Sequence, residues 1–294
     1  MIEAELRGKT SSELQNVEDL LTSAVFGLLQ YMPPKVFWPV ILTRAESCKG
    51  KPFVERCKEL GAHIPSYEKV DVHFWPVHQE FGEPDLLLVF SNSNQLPLCF
   101  IIEAKLGAAK SGREQQDQLN RYLAALRDSE WLSRITGFRR PMALPGLIYL
   151  TTSAAWSELH DSIEHAPEHL VAESTLFLLQ WQDILEIARK IFPHEDEPQR
   201  KMLRKIAAFL EHRDLEYFHG FTHLSLDDDT TKEVHFYNPK KVVFSGFTEI
   251  PLETISLVEV DFYTSKRKGT FQGFTIEPFE QVTAIDTVFY GGDQ

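Results

Sequence analysis

Two neighbouring stretches decide the fold: "EPDLLLVF" at residues 83–90 and "LCFIIEAKLG" at residues 98–107. Both are apolar runs of strand length, yet Asp85 stands at the head of the first and Glu103 and Lys105 lie inside the second. Burying a carboxylate and an ammonium in a core strand is costly unless each is compensated. Residues two apart on a strand share a face, so Glu103 and Lys105 project together while Phe100, Ile102 and Ala104 point the other way. The polar segment "SNSNQ" (91–95) turns the chain between the two runs, and across such a hairpin Asp85 meets Glu103. Two carboxylates and an ammonium then converge at one end of a sheet. Carboxylates that close repel unless a cation holds them together. A hard divalent cation with oxygen ligands, Mg²⁺ above all, fills that need and keeps waters free for a substrate phosphate.

Outward from this pair the pattern is regular. Residues 17–31 predict a helix, with Val17, Leu20, Leu21, Ala24, Leu28 and Tyr31 at helical spacing, Asn16 as N-cap and Pro33-Pro34 as the stop. The stretch "KVFWPVILT" (35–43) reads as a strand interrupted by Pro39 or an extended connection, and residues 46–60 as a short helix ended by Gly61. "EKVDVHFWPV" (68–77) alternates and reads as a strand, which makes three strands in an antiparallel meander. A helix is expected over 112–128, with Leu119, Tyr122, Leu123 and Leu126 as its stripe. Strands follow at 145–152 and 174–181, then helices at 182–192 and 198–213. The order implies an α/β fold, helices covering a mixed sheet. From about residue 215 the composition becomes loop-rich and then β-rich, with a hairpin expected near Lys268-Gly269. The expected division is therefore a domain over 1–215 and a β-rich C-terminal region over 216–294.

Composition narrows the class. Of 294 residues, 43% are hydrophobic and 25% charged, the mix of a folded globular chain. No apolar run approaches the length of a membrane span, and the polar, acidic N-terminus is unlike a secretory signal, so no membrane partner and a cytoplasmic location are expected. Three cysteines, Cys48, Cys57 and Cys99, without a CxxC argue against a disulfide framework or zinc knuckle. The net charge of −13 argues against broad coating of nucleic acid. Between Glu103 and Arg140, however, eight Lys/Arg face five Asp/Glu, a local excess of three positive charges that suits one confined polyanion site. Walker A, GxGxxG, HExxH and GxSxG patterns are absent from the sequence.

Pro84-Asp85, then Glu103-Ala104-Lys105, then Gln118 and Tyr122 four residues apart in "QLNRY" together resemble the PD-(D/E)xK nuclease superfamily, in its RecB-like branch with a QxxxY motif. The resemblance covers residues 17–152 and implies a restriction-endonuclease-like αβββαβ core. It implies a Mg²⁺-dependent phosphodiesterase acting on DNA, with Mn²⁺ able to substitute. On that resemblance Asp85, Glu103 and the carbonyl of Ala104 hold the metal, Lys105 orients or activates the attacking water, and Gln118 contacts the nucleophile, Lys105 or the metal shell. An acid on the first helix often adds a metal oxygen in the family. Glu18 borders the Leu21/Val25/Leu29 face and takes that role here, while Asp19 sits as a capping acid. Tyr122 packs and supports Gln118. Lys110, Arg113 and Arg121 are candidate phosphate contacts, which position a substrate without reading its sequence. The resemblance permits restriction, phage defence or repair in a bacterium, with the C-terminal region serving substrate recognition, a homodimer contact or a partner protein. The rival readings are a catalytically silent binding or regulatory protein on the same scaffold, and a nuclease acting on RNA.

Overall fold

The computed structural model describes residues 18–107, 110–112, 116–152, 154–191 and 196–217, and the backbone of 232–238, 258–264 and 285–291. The strands expected at the two deciding stretches are β2 (Leu86–Ser91) and β3 (Leu98–Ala104), preceded by β1 (Lys69–Phe74). All three pair antiparallel, β1 with β2 through Phe74↔Leu86 and β2 with β3 through Leu86↔Ile102. β4 (Leu147–Thr151) then joins β3 in parallel, and β5 (Leu176–Gln180) joins β4 in parallel. The result is a five-stranded mixed sheet in the order β1-β2-β3-β4-β5. β2 and β3 read as near-continuous apolar runs because the sheet is covered on both faces.

One face carries α1 (Glu18–Leu29), α2 (Trp38–Ile41), α3 (Phe53–Glu59), α7 (Trp181–Ile191) and α8 (Glu197–His212). Their side chains pack with Leu86, Leu88, Phe90, Phe100, Ile102 and Ala104. The ring of Phe53 stands edge-on to Phe100 and Phe177 at 4.9 and 5.0 Å between centroids. The other face carries α4 (Gln118–Ala125), α5 (Ser129–Thr136) and α6 (Trp156–Glu164), packed on Leu87, Val89, Cys99, Ile101 and Tyr149. The alternation expected along β3 therefore divides the sheet's two cores, and Glu103 lies on the side of α4.

Several expectations are corrected. Residues 35–43 hold no strand: Pro39 sits in the first turn of the short α2, where its missing N–H costs nothing. The helix expected over 46–60 begins only at Phe53, after Pro52. In α1 the core takes Leu21, Val25, Phe26 and Leu29, while Tyr31 lies past the helix end and is 71% exposed. Asn16 and Val17 lie outside the described residues. The helix expected over 112–128 is α4 alone, because Asp117 caps it by accepting from Asn120 N and Asp128 starts a separate helix. α5 and α6 were not assigned by the sequence pattern.

Asp128 illustrates how the segment ahead of Asp85 is held. Its Oδ1 accepts from Glu130 N and Trp131 N at 2.9 and 3.0 Å, and His78 Nε2 lies 3.1 Å from its Oδ2. His78 Nδ1 accepts from the main-chain N–H of Glu80 and of Phe81, each at 3.1 Å, so the ring proton sits on Nε2 and donates to Asp128. Trp131 Nε1 adds a bond to Val77 O at 3.0 Å. Asp128→Ala is expected to cost about 1–2 kcal/mol through the lost cap, seen as a fall of a few degrees in thermal midpoint. An unchanged midpoint contradicts this account of the 77–82 segment.

The chain divides into two compact units, Met1–Glu216 and Tyr217–Gln294. In the second, β6 (Lys232–Asn238), β7 (Val258–Thr264) and β8 (Ile285–Gly291) pair as a parallel sheet. The hairpin expected near Lys268-Gly269 lies outside the described residues. Among the described residues no helix is long and apolar enough to cross a membrane. Cys48, Cys57 and Cys99 are free thiols.

Candidate functional site

The β2–β3 register ends at Leu86↔Ile102, so one step further Asp85 stands opposite Glu103. Both are buried, Asp85 at 8% and Glu103 at 1% exposure. Each engages the other's strand: Ala104 N donates to Asp85 Oδ2 at 2.8 Å, and Asp85 N approaches Glu103 Oε2 at 3.4 Å. Glu103 Oε1 accepts from Lys105 Nζ and from Gln118 Nε2, both at 2.7 Å. Lys105 Nζ also donates to Glu18 Oε1 at 3.1 Å, and Glu18 Oε2 accepts from Leu106 N at 2.6 Å. Gln118 Nε2 lies 3.2 Å from Tyr122 OH, which donates to Glu83 O at 2.9 Å. The structure thus brings Asp85, Glu103, Lys105, Gln118, Tyr122 and Glu18 into one hydrogen-bonded network.

Its electrostatics are unbalanced. Three carboxylates meet one ammonium, which leaves two negative charges uncompensated when all are ionised. Burial, and then the Asp85 charge, push the Glu103 carboxyl up to about 8 despite the stabilising contact with Lys105. Burial likewise raises Asp85 above its ordinary value, against the opposing pull of the Ala104 N–H and of the Lys105 charge. Burial alone pulls the Lys105 ammonium down, but Glu103, Glu18 and Asp85 overcome it and hold it above its ordinary value. The lysine keeps its proton, and the excess negative charge is relieved at the acid pair, by a proton or by a cation.

The donor set fits a hard divalent cation. Mg²⁺ is commonly held by one or two carboxylates and retained waters, and the Asp85–Glu103 pair carries carboxylate oxygens of that kind, while Ala104 meets the pair through its main-chain N–H, which donates to Asp85 Oδ2. Among the described residues no three His, Cys, Asp or Glu side chains are grouped to hold a metal ion. Glu18 meets the site through the lysine and the main chain after it: Lys105 Nζ and Leu106 N donate to its two carboxylate oxygens.

The basic residues fare differently. Lys110 is drawn inward, its ammonium bonded to Asp117, Asp161 and Ser162 with a side chain 5% exposed, so it presents no phosphate contact. Arg113 lies outside the described residues. Arg121 is half-buried on α4, its Nε without a partner. Sequence reasoning missed the second polar cluster around Lys110, whose members Asp117, Glu158, Asp161 and Ser162 come from segments far apart in the chain.

Tyr122→Phe removes the donor to Glu83 O and the acceptor for Gln118. It is expected to cost about 1–2 kcal/mol of stability, read as a lower thermal midpoint. An unchanged midpoint contradicts the supporting role of Tyr122. Comparison with protein-family models, with curated proteins and with solved structures returns no match for this chain.

Proposed function

We propose that the chain is a metal-dependent phosphodiesterase of the PD-(D/E)xK type acting on DNA. The observation that carries the reading is the single network in which Asp85 and Glu103 meet across β2 and β3, with Lys105 and Gln118 both donating to Glu103. A scaffold that only packs has no need of it: the arrangement crowds three carboxyl groups around one ammonium, two of them buried, so that a proton or a cation must relieve the acid pair. Asp85 and Glu103, with the Ala104 carbonyl that the resemblance adds, would hold a divalent cation, which would supply neutralisation of charge on a scissile phosphate. The chain's own residues do the rest. Lys105, kept protonated, positions the attacking water and offers a cation to the developing oxyanion. Glu18 fixes the lysine's reach from the far side, and Gln118 fixes the carboxylate it faces.

DNA is favoured over RNA by the resemblance rather than by geometry. A homodimer or partner contact through residues 216–294 belongs to the same proposal. The test is incubation of the pure protein with plasmid, linear DNA and structured RNA, with Mg²⁺, with Mn²⁺ and with chelator. Cation-dependent cleavage of DNA supports the reading, and cleavage of RNA alone replaces its substrate. No cleavage of any substrate, with no divalent-cation effect on thermal stability, favours the silent binding protein.

A further inference from the structure

The segment 105–117 connects the lysine of the site to the glutamine of the site, and a buried cation lies within it. Lys110 main-chain N–H donates to Glu158 Oε2 at 2.8 Å, and the same oxygen accepts from Tyr149 OH at 2.8 Å. Lys110 Nζ bonds Asp117, Asp161 Oδ2 at 2.7 Å and Ser162 Oγ at 2.8 Å. Ser162 Oγ in turn donates to Asp117 Oδ2 at 3.0 Å, and Asn120 Nδ2 donates to Ser162 O at 2.7 Å. The start of α4 is thereby bolted to α6. Asp117 and Ser162 are 1% and 0% exposed, so the ammonium is bound away from solvent.

The next residue on each side forms a second rung. Gln118 N donates to Ser111 O at 3.1 Å, and Ser111 N donates to Gln118 Oε1 at 3.0 Å. This pair consumes the amide oxygen of Gln118, which leaves its NH₂ facing Glu103 Oε1 and Tyr122 OH. Lys110–Asp117 and Ser111–Gln118 are thus adjacent rungs, and the first closes the loop on which the second depends. A buried ion pair adds little net stability compared with an apolar replacement of the same volume. What it does add here is a fixed register between residues 110–111 and 117–118.

We propose that Lys110 is a positioning residue for the phosphodiesterase site, aiming the Gln118 amide at Glu103 through Asp117 and Ser111, and is not a phosphate contact. The proposal rests on the reading given above under the proposed function. Lys110→Met keeps the aliphatic stem and removes the ammonium. It is expected to lower kcat about tenfold to a hundredfold, the cost of a small misplacement of a site group, with KM for DNA unchanged. The slope of DNA affinity against salt also stays at the wild-type value, whereas loss of a true phosphate contact reduces that slope by about one. A raised KM with a reduced slope, or wild-type kcat, overturns the proposal. Should Lys110→Met fail to fold, Lys110→Met/Asp117→Asn and Ser162→Ala carry the same expectation in neutral and milder form. Hydrogen exchange at the Ser111 and Gln118 amides reads the anchor without turnover: lost protection in these variants upholds it, and retained protection overturns it. A wild-type protein that neither binds nor cleaves DNA refutes the phosphodiesterase reading, and exchange at the two amides then still decides whether Lys110 holds Gln118.

Discussion

Lys105→Ala is expected to lower divalent-cation-dependent cleavage of DNA by about 10³–10⁴-fold, the combined loss of a positioned water contact and of a cation beside a developing oxyanion. The ammonium lies between Glu103 and Glu18 and its side chain is 12% exposed, so water does not replace it cheaply. Lys105→Arg does not rescue, because a planar fork cannot take the place of a point charge between two acids. Free of metal, Lys105→Ala leaves Glu18, Asp85 and Glu103 without their ammonium. It is expected to lose about 3–5 kcal/mol of stability, part of which returns on adding Mg²⁺ because the cation binds only the folded chain. Single-turnover cleavage and thermal melts with and without chelator check both halves. Cleavage within a few-fold of wild type removes Lys105 from the chemistry.

The second large effect concerns Glu103 and pH. Its carboxyl is held up to about 8 by burial and by the Asp85 charge, far above its ordinary value of 4.5. A group raised in the folded state stabilises fully below its unfolded value, and that stability is lost as pH rises to the folded value. The metal-free protein should therefore weaken steadily between about pH 4.5 and about pH 8, by a few kcal/mol in order of magnitude, with Asp85 acting in the same sense. Lys105, also raised, loses its share only above the ordinary lysine range and so does not blur this window. Glu103→Gln removes the titrating group and keeps the shape. Denaturant titrations without metal should show the wild type falling steeply across the window and Glu103→Gln, which keeps only the Asp85 contribution, falling less, so that the variant is the more stable of the two at pH 8.5. With Mg²⁺ at that pH the wild type gains stability and the variant does not. Parallel pH curves for the two proteins, or a wild type that strengthens with pH, contradict the assignment.

How much of this was legible beforehand depends on the range over which each residue's partners lie. Asp85, Glu103 and Lys105 could be placed together because strand periodicity and a short hairpin fix their register, both local properties. Gln118 and Tyr122 came from the resemblance, through the QxxxY spacing, and so did an acid on the first helix, for which the offset to Leu21, Val25 and Leu29, the residues that α1 does bury, selected Glu18. What could not be read was which polar groups would claim one another over long separations. Lys110 looked like a surface cation in a basic stretch, but its partners Asp161 and Ser162 lie about fifty positions away on α6. Glu18 could be placed on the face toward the site, but its contacts with Lys105 and Leu106, 87 and 88 positions away, could not be read. The helix expected over 112–128 overran at both ends because its apolar stripe does not show where caps intervene: Asp117 starts the helix by accepting from Asn120 N, and Asp128 restarts the chain as a new cap. Residues 35–43 failed for a related reason: an apolar run with one proline suits a strand edge and a first helical turn alike, and packing against Phe26 and Phe90 chose the latter.

The central claim is that the buried Asp85–Glu103 pair takes a divalent cation in place of the charge that Lys105 leaves uncompensated. Calorimetric titration of the full chain with Mn²⁺ at pH 8 tests it most directly. The account predicts saturable binding that disappears in Asp85→Asn and weakens about tenfold or more when the pH is lowered to 6.5, where protons hold the pair. Binding that is absent in the wild type, or that persists unchanged in Asp85→Asn, contradicts it.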